Sequence, residues 1–125
     1  MMWIAVVLGG AVGTAARHAL NLATTRLIST PVPWATAAVN MIGSLVIGVL
    51  AGAIAAERLS MSPWVRTFLF VGILGGFTTF STFGLDTLLL ARTHSTGYAL
   101  LNVGVQVAGG LAAVWSGYRL GVSGV

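Results

Sequence analysis

Long apolar runs alternate along the chain with short polar punctuation. No charged residue lies between Arg26 and Glu57, between Arg66 and Asp86, or between Arg92 and Arg119. Each gap holds the ~20 apolar residues that a helix needs to cross a bilayer. The opening segment, Trp3 to Ile28, makes a fourth run, interrupted only by Arg17, His18 and Arg26. The pattern predicts four transmembrane helices at about 3–28, 34–56, 64–91 and 98–120, an all-α membrane protein in which residues 1–125 form a single integral membrane domain. Thr30-Pro31-Val32-Pro33 ends the first span, because proline cannot continue a helix and restricts its predecessor. Ser62-Pro63 reads as an N-cap and first-turn proline opening the third. Trp34 and Trp64 stand where interfacial anchors are expected.

The third run contains a stretch that resists helix formation, Gly72-Ile73-Leu74-Gly75-Gly76-Phe77-Thr78-Thr79-Phe80-Ser81-Thr82-Phe83-Gly84. Glycine leaves the backbone unrestrained, and Thr and Phe lose rotamer freedom against the preceding turn. In lipid a break survives only where the freed backbone groups meet protein, water or an ion. The stretch therefore predicts a third helix broken near its centre, with its loose carbonyls and N–H groups put to use.

Composition closes off several classes of function. Of 125 residues, 57% are hydrophobic and 6% charged, against about a quarter charged in soluble domains. The absence of cysteine excludes disulfides and thiolate metal sites. The first segment lacks the positive n-region of a cleaved signal peptide and is kept as a span. The net charge of +4 comes from arginines scattered singly near helix ends, without the basic stripe of a nucleic-acid binder. With both termini on one side, Arg58, Arg66 and Arg119 share that face, and Arg26 and Arg92 the other. So small a bias does not fix orientation. Insertion both ways round would allow an antiparallel pair with its two-fold axis in the membrane plane, and a dimer is the smallest plausible working unit.

Few residues can carry chemistry. Arg17 inside a span either makes an electropositive vestibule or snorkels to the headgroups. Thr36, Asn40 and Ser44 share one helical face, continued by Gly48 and Gly52. Asn40 can donate to a dehydrated anion or glue two helices. Phe77, Phe80 and Phe83 form a packing stripe by default, but Thr78, Thr79, Ser81 and Thr82 accompany them. Ring edges are positive, so edges beside hydroxyl donors favour a small anion. Carbonyls released around Gly75 and Thr78 are hard oxygen ligands for an alkali cation, and a symmetric dimer would double the set. Asp86 is a candidate to pair with an arginine, and Glu57 is interfacial. Asn102 and Gln106, one turn apart, line a path or hold helices together. No catalytic triad, metal-ligand cluster or phosphate loop is visible, so the sequence does not read as an enzyme.

These residues resemble the Fluc (CrcB) fluoride channels over essentially the full length. The resemblance rests on Gly9-Gly10-Ala11-Val12-Gly13 followed by Arg17, on Thr36-Ala37-Ala38-Val39-Asn40 with Gly43-Ser44, and on Gly75-Gly76-Phe77-Thr78-Thr79-Phe80-Ser81-Thr82-Phe83. It implies a dual-topology antiparallel homodimer in the cell membrane, with two pores exporting fluoride passively and a central structural sodium ion. Carbonyls of Gly75 and Thr78 would hold the sodium. Phe80 and Phe83 would line the pore, Asn40 would be the midplane donor, Thr36 part of the polar track, and Arg17 the vestibule arginine. Thr79, Ser81, Thr82 and Gln106 complete the candidate pore set. The fourth span departs from the pattern: Asn102, Gln106 and Gly110 stand where many members have Tyr, Ser, and Ser or Gly. Gly84 also replaces a residue that is often Ser.

Two other classes compete. A proton-coupled small multidrug exporter has the same size and span count, but needs a carboxylate deep in the first span, and none precedes Glu57. A non-transporting assembly subunit would leave the phenylalanine–threonine cluster without a purpose. A variant of the leading reading pairs two unlike subunits, against which the near-balanced arginines argue.

Overall fold

The computed structural model describes residues 1–124. The described chain is all-helical: α1 (Met2–Leu27), α2 (Trp34–Ala55), α3 (Pro63–Arg66), a π-helical segment (Thr67–Leu74), α4 (Gly75–Phe77), α5 (Phe80–Thr93) and α6 (Thr96–Ser123). By length and composition four helical stretches can cross a membrane, and the third is the composite Pro63–Thr93. Its break is narrower than the sequence suggested. Only Thr78 and Thr79 leave the helix, with extended backbone at Thr78 (ψ 159°) and Thr79 (φ −151°). The π-helical turns before it were not anticipated. They occur where α1 lies hard against this segment.

The starts of the helices follow their caps. Ser62 Oγ accepts from the Val65 N–H at 3.3 Å, with Pro63 at the first helical position. Ser95 does the same for α6, accepting from the Tyr98 N–H at 3.4 Å. Trp64 stacks on Phe68 with ring centroids 5.4 Å apart. The Arg119 guanidinium lies 5.6 Å from the Trp115 ring centre, an aromatic–cation pair suited to a membrane interface.

Small residues set the helix pairing. Lipid tails are as apolar as leucine, so helices in a bilayer associate through close packing rather than hydrophobic exclusion. α1 packs on the π-helical segment, and α2 packs on α6. At Gly13 a Cβ would strike the Ile73 carbonyl. At Gly48 it would strike the Val114 carbonyl, and at Gly117 the Leu45 carbonyl. The obstruction is backbone in each case and cannot swing aside. α5 packs on α6, and this places the break of the third span beside the middle of α2.

Candidate functional site

The break is mended by side chains. In a continuous helix the Thr79 N–H would bond the Gly75 carbonyl, and the Thr82 N–H the Thr78 carbonyl. Here the Thr79 N–H donates to Asn40 Oδ1 at 2.9 Å, and the Thr82 N–H to Thr79 Oγ1 at 3.3 Å. Asn40 Nδ2 returns a bond to the Thr79 carbonyl at 3.0 Å. Asn40 on α2 thus clasps both backbone groups of Thr79. The carbonyls of Gly75 and Thr78 lose their helical donors to these side chains. They are hard, uncharged oxygens, the donor type that suits an alkali cation. No group of three or more His, Cys, Asp or Glu side chains suited to a metal occurs among the described residues.

From Asn40 a chain of bonds runs into α6 and back to α5. Asn40 Nδ2 donates to Gln106 Oε1 at 2.8 Å, Gln106 Nε2 to Asn102 Oδ1 at 2.9 Å, and Asn102 Nδ2 to Thr87 Oγ1 at 2.9 Å. Thr87 Oγ1 ends the chain on the Phe83 carbonyl at 2.8 Å. Asn102 is fully buried and Gln106 nearly so. The Asn102–Gln106 pair ties α6 to α2 and α5, and Gln106 also borders a cavity.

That cavity has a volume of about 450 Å³ and is lined by Asn40, Gly43, Ser44, Thr79, Phe80, Phe83 and Gln106, with Gly75 and Thr78 also on its wall. The Phe80 and Phe83 rings stand 5.4 Å apart, tilted by 51°. Phe80 is 83% exposed on the lone protomer. Ser81 is exposed, and with Thr82 it joins the site through the Thr79 hydroxyl, at 3.4 and 3.0 Å.

Two members of the expected set lie apart. Thr36 lines a second cavity of about 310 Å³ near the α1–α2 turn. There its hydroxyl donates to Asp86 Oδ2 at 2.7 Å. The arginine expected beside Asp86 is thus replaced by a hydroxyl. Arg17 sits half-buried on α1, one turn beyond Gly13, and lines neither cavity. The Thr36–Asp86 pair and the place of Thr87 were not foreseen, because both depend on how α5 lies against its neighbours.

Comparison with known proteins bears on what such a site is for. The family described as CrcB-like protein, Camphor Resistance (CrcB), matches residues 4–118. The chain belongs to the CrcB family. Among its relatives is the fluoride-specific ion channel FluC of Methylobacillus flagellatus, 45% identical over 116 residues, which are 92% of this chain and 90% of that one. The fluoride-specific ion channel FluC 2 of Symbiobacterium thermophilum is 44% identical over 92% of this chain and 93% of its own. The corresponding channel of Hyphomonas neptunium is 42% identical over 92% and 91%. In this CrcB protein the fold draws Asn40 and the phenylalanine–threonine stretch of the third span into one cavity.

Proposed function

We propose that this protein is a fluoride channel, not an enzyme, which lets cytoplasmic fluoride leave the cell down its electrochemical gradient. The observation that carries the reading is the cavity where Phe80 and Phe83 meet the amides of Asn40 and Gln106 at the mended break. Small anions need donors and ring edges to replace their water, and the binding must be weak enough to release them. Fluoride-specific channels among its relatives support the same conclusion. Fluoride becomes neutral HF in acid, crosses lipid and re-ionises inside, so an exit route protects the cell.

The working unit is a homodimer of oppositely inserted copies in the cell membrane. The open cavity and exposed Phe80 of the lone protomer support this, since a second copy would cover them. A sodium ion at the dimer centre fits the Gly75 and Thr78 carbonyls, freed in each copy by the diverted Thr79 and Thr82 donors. Its charge would hold two broken helices together. Arg17 draws anions toward the site from outside the cavity, and Thr36 with Asp86 carries the polar track toward the α1–α2 turn.

The test is fluoride-electrode efflux from liposomes holding the purified protein, with chloride as control. Fluoride efflux without chloride efflux is expected. Proton-coupled drug transport in the same vesicles, with no fluoride efflux, would install the multidrug-exporter reading in its place.

A further inference from the structure

We propose that the second cavity, at the α1–α2 turn, is a binding site for a monovalent alkali cation, centred on the carboxylate of Asp86. It is distinct from the Gly75 and Thr78 carbonyls, which lie on the wall of the other cavity. The site stands on its own geometry, and only its consequence for fluoride rests on the channel reading.

Asp86 is the one charged residue on the cavity wall, and no arginine or histidine joins it there. It is half-buried within the third span. A carboxylate at such a position is expensive unless a positive charge answers it. Thr36 supplies a hydrogen, to Oδ2 at 2.7 Å, but no charge.

The other side chains of the wall offer mainly lone pairs. A hydroxyl carries one hydrogen and two acceptor sites. Thr24 spends its hydrogen on the Leu20 carbonyl at 2.8 Å, Thr25 on the Asn21 carbonyl at 2.8 Å, and Thr30 on the Val32 carbonyl at 3.3 Å. With Thr36 bonded to Asp86, all four threonines of the wall keep only acceptor sites for a guest. Pro31 and Pro33 bring no N–H. Asn21 also lines the cavity, and its Oδ1 is enclosed without a donor. No bond holds that oxygen, so the amide can turn it toward an ion, which removes the cost of an unpaired acceptor.

One feature of the cavity opposes a cation. α2 starts here with no side-chain cap, and the N–H groups of its first turn suit an anion. Such a helix end is equivalent to about half a positive charge, against the full negative charge of Asp86, so the balance favours a cation. A lone carboxylate also fits a single charge, since calcium takes about 6–8 oxygens, often from several carboxylates. The cavity, of about 310 Å³, has room for roughly ten waters at ~30 Å³ each, so the ion keeps part of its hydration shell. On the channel reading, the ion offsets the carboxylate that would otherwise repel fluoride along the polar track.

The test is anomalous diffraction from crystals of the protein soaked in thallium(I), a heavy stand-in for potassium, and separately in bromide. Thallium density beside Asp86 is expected in the wild-type protein, apart from any at the dimer centre. Asp86→Asn keeps the acceptor for Thr36 and removes the charge, and the density should be lost. Asn21→Leu removes one oxygen and leaves the charge, and the density should weaken at equal thallium. The absence of thallium beside Asp86 in the wild-type protein overturns the proposal, as does undiminished density in Asp86→Asn. Bromide in that cavity would assign it to the uncapped end of α2 and overturn the proposal too. Wild-type protein that moves no fluoride would remove the channel reading, while thallium beside Asp86 would still establish the cation site.

Discussion

At Asn40, three short bonds serve the backbone of Thr79 in the break of the third span and the side chain of Gln106 on α6. Replacing it with Asp would set a carboxylate against the Thr79 carbonyl and Gln106 Oε1, where the wild-type amide donates. Asn40→Asp should therefore bring fluoride efflux down to the leak of protein-free vesicles, and efflux at the wild-type rate would take Asn40 out of the site. Phe80→Ile and Phe83→Ile remove the ring edges but keep apolar bulk. Both should abolish efflux while the protein elutes from a sizing column like wild type. Wild-type efflux in both variants would refute a ring-lined path. The types of residue at the site were legible in the sequence, because Asn in an apolar helix and Thr among phenylalanines are conspicuous. Their partners were not. Asn40 was legible as a donor, but that its oxygen would cap the Thr79 N–H depends on the register between two helices far apart in the chain. Asp86 shows the same limit: its charge suggested an arginine, and tertiary packing supplied Thr36.

Among the elements, the broken third span and the four-span layout followed from apolar run length and the glycine-rich stretch, and the Ser62 cap from Ser62-Pro63. The π-helical turns at Thr67–Leu74 had no cue over most of their length, since Thr67-Phe68-Leu69-Phe70-Val71 precedes the glycine-rich stretch and is ordinary for a membrane helix. Their wider winding accompanies the close approach of α1, in which Gly72 lies against the Gly9 backbone. The glycines of α2 and α6 yield a sharper prediction. Gly48→Ala pushes a methyl group into the Val114 carbonyl and should cost about 1–3 kcal/mol, read as a lowered unfolding temperature in detergent. Gly104→Ala meets nothing within 4 Å in the protomer and should leave the temperature unchanged or raise it, by about 0.5–1 kcal/mol of stability. A marked loss at Gly104 would mean that a second copy presses on that face.

For the whole molecule, the near-even spread of arginines predicts that single cysteines placed near Arg26 and near Glu57 in this cysteine-free chain will each be labelled from both sides of the membrane. Labelling from one side only would exclude the antiparallel dimer. The clasp of Asn40 on Thr79 also bears on how such a protein is made. A bare amide entering hydrocarbon without a partner is penalised by several kcal/mol, and the Thr79 N–H belongs to a segment synthesised after α2. The asparagine that receives it is synthesised first, 39 residues ahead of Thr79. Reordering the gene so that the second span is translated last would leave that amide waiting, and such a chain should be degraded during biogenesis even though its finished fold would be the same.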